Sequence, residues 1–331
     1  MTIHAAIIGT GFAARKRAEA LGAIPGIKLT KIVSRHAERV QQLGQKYQVD
    51  VLSHVDDLWR EPDLHLVFIC TVNADHGALV QQALEHHKHV VVEYPLALDV
   101  SHATQLMALA QQRQRLLHVE HIELIGGLHV AMQEHLAAVG IPHYVNYRTL
   151  APKQSAPHKW SYCLELLGFP MMAALSRIQR LTNLLGPVET VVCQGGVQPP
   201  DTRYFYRCLY SAQLMFCNGT LAELTYGKGE GVWQRSRYIE VRGDRGCLVF
   251  DGNQGCLTTA QGEQIISAAP RQGLFHKDTQ RVVDYLLRER QLYVTPAESV
   301  YSLKVAAALQ RSVELGATKV RVDRANGLWG N

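Results

Sequence analysis

Short apolar runs alternate with helical patterns through the first third of the chain. The runs at residues 3–8, 27–33, 64–70, 90–92 and 116–119 predict buried strands. Between them apolar positions recur at helical spacing, which predicts helices over 10–21, 37–47 and 101–113 and another that ends at 87. This alternation is typical of a parallel, doubly wound sheet.

The pattern changes after residue 124. We predict a helix over 125–139, a strand near 144–150, a loop over 151–158 and a long helix from Pro170 to the Gly186-Pro187 pair. β-rich runs with glycine turns fill residues 188–259, and two helices follow, the second opening with the capping box Thr295-Pro296-Ala297-Glu298. The chain is therefore predicted to be an α/β protein with a first domain at 1–123 and an α+β domain with a mostly antiparallel sheet at 124–331.

The composition excludes several classes of protein. Of the 331 residues, 47% are hydrophobic and 19% are charged, which is ordinary for a globular protein. A chain of this length is too long for one hydrophobic core and predicts two domains. No apolar run reaches the ~18 residues of a membrane span. The opening Met1-Thr2-Ile3-His4 is unlike a signal peptide. The seven cysteines form no CxxC pair, which favours reduced thiols and a cytoplasmic location.

The distribution of charge narrows the choice of partner. The net charge is +5, yet no block of consecutive Lys or Arg is present, so we expect no nucleic-acid partner. The sixteen histidines show no HxxxH or HExxH pattern, and we predict no metal site. A mild excess of cations fits an anionic small molecule.

The segment Gly9-Thr10-Gly11-Phe12-Ala13-Ala14 matches G-x-G-x-x-A directly after the first strand. Gly9 permits the tight turn, Gly11 lets the backbone approach a pyrophosphate, and Ala14 lets the helix pack closely on the sheet. The helix N-terminus offers N–H groups to the phosphates. With a βαβ unit around it, the motif predicts a Rossmann domain that binds a dinucleotide.

The residues after the second strand predict which dinucleotide is bound. An NAD enzyme usually has an acid there to hold the ribose 2′-hydroxyl. This chain has Ser34-Arg35-His36, and its nearest downstream acid is Glu38. A 2′-phosphate is repelled by an acid but attracted by a guanidinium. We therefore predict NADPH in preference to NADH, with Arg35 as a solvated helix-start residue the alternative.

Two further segments fall on the same predicted sheet edge. Thr71, Asn73 and His76 follow the next buried strand, and Glu93-Tyr94-Pro95 follows the run 90–92. Ligands of open α/β sheets bind at the carboxyl ends of the strands. We therefore expect Thr71, Asn73, His76, Glu93 and Tyr94 to contact the cofactor.

These motifs together resemble the glucose-fructose oxidoreductase/inositol dehydrogenase/MocA family. That family shows G-x-G-x-x-A, T-x-N-x-x-H and H-V-x-x-E-K-P, which here occupy residues 9–14, 71–76 and 89–95. The resemblance implies a C-terminal domain with a large open sheet. Sugar and polyol dehydrogenases of the family use the lysine of the third motif with an Asp and a His on a helix. Here those positions are Tyr94 and, by alignment on Gly168, about Ala174 and Ile178.

Four stretches resemble the biliverdin reductases, a branch of the same family. They are residues 93–98, 117–124, 168–178 and 226–230, the last most like the cyanobacterial form. Together they span nearly the full length of the chain. The resemblance implies NADPH-dependent reduction of biliverdin, an anionic tetrapyrrole, to bilirubin. No hydroxyl is deprotonated in that reaction, so the missing lysine, Asp and His are tolerable.

The resemblance also implies candidate catalytic residues. Arg177 matches the arginine assigned a catalytic role in biliverdin reductases. Because an arginine has a pKa of about 12 or more, it is a poor acid. We interpret Arg177 as a charge that holds the bilin and eases protonation of its nitrogen, the alternative being a surface ion pair. Tyr94 either donates a hydrogen bond, lies against the nicotinamide or packs.

The remaining candidates are predicted to bind the substrate. Arg180 is three residues from Arg177 and shares a neighbouring helix face. His121 either titrates near neutrality or is structural, and the cations of residues 228–237 are candidate partners of the bilin propionates. The full set is Glu120, His121, Glu123, Arg180, Lys228, Arg235 and Arg237.

Two other functions stay open at this stage. An NADP-dependent sugar or polyol dehydrogenase of the same family would need a replacement base. A non-catalytic sensor that binds NADP or a bilin would need no chemistry at all. The sequence leaves the oligomeric state, monomer or homo-oligomer, undecided.

Overall fold

The computed structural model describes residues 2–200 and 202–323. Contacts divide the chain into two compact units. The first combines the chain up to Ile125 with Gln272–Val300, and the second combines Gly126–Arg271 with the chain from Tyr301 onward. The segment 272–300 thus belongs to the first unit, whereas the sequence analysis placed it with the second domain.

The first unit is built from alternating strands and helices. Its elements are β1 (Ile3–Ile8), α1 (Phe12–Leu21), β2 (Ile27–Val33), α2 (Ala37–Tyr47), β3 (Asp50–Leu52), α3 (Val55–Trp59), β4 (Leu66–Ile69), α4 (Asn73–Glu85), β5 (His89–Glu93), α5 (Val100–Gln112), β6 (Leu117–Glu120) and α9 (Leu274–Arg288). A 3-10 turn, Ile122–Ile125, follows β6. The sequence did not predict β3 and α3, because both are too short for a periodic signal.

The strands of this unit that the structure describes form one six-stranded sheet in the order β3-β2-β1-β4-β5-β6, every pair parallel. β4 is apolar and fully buried, as expected for a strand covered on both faces. Val282 and Val283 of α9 pack into the same core as Ile7, Ile32 and Phe68. The predicted doubly wound sheet is confirmed.

The second unit holds a larger, mixed sheet. Its elements are α6 (Gly127–Val139), β7 (Pro142–Pro152), α7 (Leu164–Leu167), α8 (Leu175–Leu185), β8 (Val188–Gln198), β9 (Arg207–Phe216), β10 (Leu221–Gly229), β11 (Ser236–Gly243), β12 (Gly246–Asp251), β13 (Gln254–Thr259), β14 (Gly262–Ser267) and β15 (Val320–Arg321). The last helix, α10 (Pro296–Glu314), begins in the first unit and continues in the second. Its capping box forms, with Thr295 N donating to Glu298 Oε2 at 2.7 Å.

In the described part of the second unit, nine strands lie in the order β14-β13-β12-β11-β7-β10-β9-β8-β15. β7 and β10 pair in parallel, and the other neighbours are antiparallel. Along β9 buried residues alternate with more exposed ones, so one face of the sheet covers the core and the other is open. The predicted α+β domain with a mostly antiparallel open sheet is confirmed.

One predicted helix is divided. The helix expected from Pro170 begins as a 3-10 turn, Pro170–Ala174, and becomes α-helical only at Leu175. Proline lacks an N–H group, but the first residues of a helix have no intrahelical acceptor for that group, so proline is tolerated there. Gly186 ends α8 with a φ of 88°, in the region that favours glycine.

Candidate active site

The carboxyl ends of the parallel strands form one edge of the first sheet. Because β2 and β4 lie on either side of β1, the connections from β1 and from β4 leave on opposite sides of the sheet. A crevice at such a switch point is where open α/β sheets bind ligands. The predicted cofactor residues, apart from those within α1 and α4, follow these strand ends.

The turn after β1 is shaped for a phosphate group. Gly9 has a φ of 122°, and a Cβ there would lie 2.3 Å from the carbonyl oxygen of Cys70, so only glycine fits. A Cβ at Gly11 would meet no heavy atom within 4 Å. Gly11 is also the N-cap of α1, and no side chain caps that helix. The open space and the helix N–H groups fit a pyrophosphate.

Ser34, Arg35 and His36 follow β2 as the sequence indicates. Ser34 Oγ accepts from His36 N at 3.3 Å and lies 3.4 Å from Thr10 Oγ1. Arg35 Nη2 donates to Asp75 Oδ2, in the first turn of α4, at 2.6 Å. The Arg35 side chain is 76% exposed, so its guanidinium is accessible to an anion from solvent. These contacts place a hydroxyl and a cation beside the turn after β1.

The T-x-N-x-x-H segment connects to the segment after β5. Asn73 and His76 are both buried in α4, and His76 Nδ1 lies 2.8 Å from the carbonyl oxygen of Pro95. Burial lowers the pKa of His76, so the ring is neutral at physiological pH. Because a carbonyl oxygen can only accept, Nδ1 carries the proton. The segment of Thr71 is therefore tied to that of Tyr94.

Glu93 and Tyr94, at the end of β5, are held in different ways. The Glu93 carboxylate accepts from Arg17 Nη2 and Nε at 3.3 and 3.4 Å. The Tyr94 ring stacks on the ring of His121, with centroids 5.4 Å apart and planes 7° apart. The dipeptide is thus fixed by an ion pair on one residue and by an aromatic stack on the next.

Glu120 and His121 lie at the end of β6, where Glu120 is the register partner of Glu93. Burial, and then the negative charge of Glu93, raise the pKa of Glu120 well above its usual range, and burial raises that of Glu93. The two carboxyl groups therefore favour holding a proton between them. Burial lowers the pKa of His121 to about 3, with His118 acting in the same direction. His121 is therefore neutral at pH 7.

Several members of this site were missed by the sequence analysis. Arg17 is buried in α1 and donates to Asp278 of α9, whose other carboxylate oxygen accepts from Tyr293 at 2.7 Å and lies 2.8 Å from His118 Nε2. Burial opposes both charges, but the ion pair more than offsets it, so the pKa of Arg17 is raised and that of Asp278 lowered. The sequence did contain one indication of a buried Arg17, because Arg17 lies on the same face of α1 as the buried residues Ala14 and Ala18.

Arg177 and Arg180 both lie on α8 of the second unit. The Arg177 guanidinium lies 5.8 Å from the ring centroid of Tyr226 and donates to Ser176 Oγ at 2.9 Å. Arg180 is only 1% exposed, and it donates to the Tyr147 hydroxyl with its guanidinium over that ring. Each cation is therefore held against a tyrosine.

The two positions at which the family resemblance expects an Asp and a His are apolar and buried. Ala174 and Ile178 are both 0% exposed, and Leu181 and Leu185 continue the same buried stripe. A charged base at either position would be costly to bury unless a hydrogen-bond partner lay beside it. Ala174 and Ile178 therefore belong to the core of the second unit.

The predicted propionate partners differ in exposure. Lys228 is buried; its ammonium donates to the carbonyl oxygen of Ser161 and lies 4.5 Å from the ring centroid of Tyr162. Burial lowers its pKa to about 8. Arg235 is exposed and Arg237 half-buried. The structure therefore gives Lys228 partners within the protein.

The structure groups the predicted residues by unit. The cofactor residues and the trio Glu120, His121 and Glu123 lie in the first unit, with Glu123 8% exposed. Arg177, Arg180, Lys228, Arg235 and Arg237 lie in the second. Over residues 2–200 and 202–323, no group of three His, Cys, Asp or Glu side chains is arranged to hold a metal ion. In the same residues, no helix is both long and apolar enough to cross a membrane.

Comparison with known proteins identifies the family. An oxidoreductase-family model with an NAD-binding Rossmann fold matches residues 3–121, and that family's C-terminal alpha/beta domain matches residues 139–322. The chain belongs to the GFO/IDH/MocA oxidoreductase family, as its motifs predict. It is therefore an NAD(P)H-dependent oxidoreductase.

Within that family the chain is similar to biliverdin reductases. The biliverdin reductase of Synechocystis sp. PCC 6803, solved with biliverdin and NADP+, is 39% identical, with a TM-score of 0.91 over 94% of this chain and 99% of that one. Biliverdin reductase A of Mus musculus is 26% identical over 82% of this chain and 83% of its own length. The UDP-N-acetylglucosamine 3-dehydrogenase of Acidithiobacillus ferrooxidans, 20% identical with a TM-score of 0.79 over 96% of this chain and all (100%) of that one, shares the fold alone.

Proposed function

We propose that this protein reduces biliverdin to bilirubin with NADPH. The observation that carries the proposal is the 39% identity, over 94% of the chain, to a biliverdin reductase whose structure contains biliverdin and NADP+. Identity at this level over both units is well above that of the 20% identical sugar-nucleotide dehydrogenase with the same fold.

The chain's own site residues support this reaction over alcohol oxidation. Oxidation of an alcohol needs a base that takes the hydroxyl proton. Tyr94 replaces the family's lysine, and Ala174 and Ile178 are buried apolar residues. Reduction of a conjugated tetrapyrrole needs instead a hydride, a proton and a cation near an anionic substrate. The residues at these positions therefore fit the reduction of a tetrapyrrole better than the oxidation of an alcohol.

The residues of the first unit fit NADPH. Gly9, Gly11 and the uncapped N-terminus of α1 would hold the pyrophosphate. Ser34 and the exposed Arg35 would meet the 2′-phosphate, which NADH lacks. When bound, NADPH supplies the hydride that adds to the central methine carbon of biliverdin.

The second unit contributes the cation. Arg177 stays protonated at all physiological pH values, because an arginine has a pKa of about 12 or more. A fixed positive charge beside the bilin holds its propionates or eases protonation of a pyrrole nitrogen. Arg235 and Arg237 are further candidates for the propionates. Water, with Tyr94 as a hydrogen-bond donor, would deliver the proton to that nitrogen.

A spectroscopic assay tests the proposal. Purified protein mixed with biliverdin and NADPH should lose the long-wavelength bilin absorption and gain that of bilirubin, faster than with NADH. Arg35→Ala should reduce the preference for NADPH by about 10-fold, since it removes one charged hydrogen bond to the 2′-phosphate. Tight binding of both ligands without turnover would indicate a non-catalytic sensor. Activity on a panel of sugars, with none on biliverdin, would indicate a sugar or polyol dehydrogenase.

A further inference from the structure

A closed path of buried and partly buried contacts includes the Glu93-Tyr94 dipeptide. It begins at Glu93, whose carboxylate is bound by Arg17, and Arg17 also binds Asp278. The path returns to the dipeptide through the stack of His121 on Tyr94. Arg17, Asp278 and His121 are each 0% exposed.

Two residues of the segment 272–300 complete this path. The Tyr293 hydroxyl donates to Asp278 Oδ1 at 2.7 Å and accepts from the main-chain N–H of His121 at 3.2 Å. Ser299 Oγ is hydrogen-bonded to the ring atom Nε2 of His121 at 2.9 Å. His121 is therefore fixed at its main chain by one residue and at its ring by the other.

We propose that Tyr293 and Ser299 are positioning residues that fix the ring of Tyr94 through His121. A half-exposed tyrosine ring at a strand end can occupy more than one staggered rotamer. A stack on a buried, hydrogen-bonded ring restricts the motion between these rotamers. Both residues contact His121, Tyr293 at its main chain and Ser299 at its ring, and we assign their effect on Tyr94 to these contacts.

The state of His121 supports a constant geometry. Burial lowers its pKa to about 3, so the ring stays neutral from physiological pH down to mildly acidic conditions. The groups that face it are Tyr94, Tyr293, Ser299, His118 and Asp278. The His121 ring of the stack therefore carries no charge in that range.

The catalytic consequence rests on the proposed function, whereas the positioning itself does not. The main test therefore uses the nuclear magnetic resonance signals of tyrosine rings in the full-length protein, with Tyr94 assigned by loss of its signals in Tyr94→Phe. In the unmodified chain the Tyr94 signals should be those of a single, restricted ring. In Tyr293→Phe and in Ser299→Ala they should shift and broaden, while Tyr144→Phe, which removes a hydroxyl bonded to Glu223 in the second unit, should leave them unchanged.

The kinetic test asks whether Tyr293 acts through Tyr94. Tyr293→Phe should lower kcat for biliverdin about 10-fold with both KM values changed less than about 2-fold, since a misplaced group costs rate rather than binding. In the Tyr94→Ala background the same change should have an effect below about 2-fold. Ser299→Ala, which leaves the Asp278 hydrogen bond intact, serves if Tyr293→Phe is unstable.

The outcomes separate the two proposals. Unchanged Tyr94 ring signals in both variants would overturn the positioning role, as would an equal loss of kcat in the presence and absence of Tyr94. A protein with altered ring signals but no activity on biliverdin would keep the positioning role and refute the proposed function.

Discussion

Arg17 of the first unit and three cations of the second unit have different neighbours. In the first, Arg17 binds the carboxylates of Asp278 and Glu93. In the second, Arg177, Arg180 and Lys228 each lie over a tyrosine ring. A carboxylate neutralises a cation and fixes it, while a ring face attracts a cation without cancelling its charge. The charge of Arg17 is therefore balanced by two carboxylates, whereas the neighbours of the cations of the second unit include tyrosine rings.

The largest expected effect comes from breaking the ion pair of the first unit. Arg17→Met leaves Asp278 and Glu93 without their cation and should lower the free energy of unfolding by about 3–5 kcal/mol. Urea denaturation measures this change. Arg15→Met, at an exposed position of the same helix, should change it by less than about 0.5 kcal/mol. A loss below about 1 kcal/mol for Arg17→Met, which is the value of a single exposed ion pair, would show that the stabilisation lies elsewhere.

The loss of Arg177, which lies over the Tyr226 ring, should affect turnover more than stability. Arg177→Ala should lower kcat for biliverdin by about 10²–10³-fold, the usual cost of removing one preorganised charge. The affinity for NADPH, measured by fluorescence titration, should stay nearly constant, because the cofactor residues lie in the first unit. Arg177→Lys, which keeps the charge, should recover part of the rate. Unchanged turnover in Arg177→Ala would remove this residue from the mechanism.

The neutral His121 should make the protein less stable in acid. Its pKa is about 3 in the folded protein and about 6.5 in an unfolded chain. As pH falls below 6.5 the unfolded chain binds a proton that the folded one does not. By pH 5 this costs about 2 kcal/mol of stability. His121→Asn should lose this part of the dependence, whereas exposed His276→Gln should keep it.

The measurement is urea denaturation of each variant between pH 5 and 7. Glu120 acts with the opposite sign: its raised pKa means that stability falls as pH rises above the ordinary carboxyl value and towards the folded one. That contribution is common to all three proteins, so it cancels in the difference. Equal slopes for His121→Asn and the unmodified chain would contradict a neutral His121.

The smallest effect is expected at Lys228. Its ammonium already has a carbonyl oxygen and two aromatic rings as neighbours, Tyr162 and Phe205. Lys228→Met should therefore change the free energy of unfolding by less than about 1 kcal/mol, since a buried charge is replaced by an apolar chain of similar length. The KM for biliverdin should change by less than about 2-fold. A rise of the KM for biliverdin beyond about 10-fold would indicate that Lys228 does bind the substrate.

Local patterns were sufficient for much of the fold. The bounds of β1, β2 and α2 agree with the apolar periodicity, and Gly9 and Gly11 lie in the turn after β1, as the motif requires. The short β3 and α3 were not predicted, because three and five residues are too few to show a period in the apolar positions. The helix expected from Pro170 begins with a 3-10 turn, which the spacing of apolar residues does not distinguish from an α-helix.

The candidate site was predictable only in part. The strand ends carrying Ser34, Thr71, Glu93 and Glu120 could be read because a parallel sheet gathers its carboxyl ends at one edge. The partners of those residues could not. Arg17 and Asp278 are separated by 261 residues along the chain, yet they form one ion pair, and no local pattern records such a pairing.

The sequence by itself determined the two kinds of sheet, the dinucleotide turn and the family, since each depends on residue type and spacing over short distances. Only the tertiary structure decided which charges are neutralised, because that depends on which distant side chains share a buried volume. It placed Arg17 against carboxylates and Lys228 against rings. It also brought Tyr293 and Ser299 to His121. Burial then set the protonation of these groups, since the cost of a charge depends on the surroundings that folding creates.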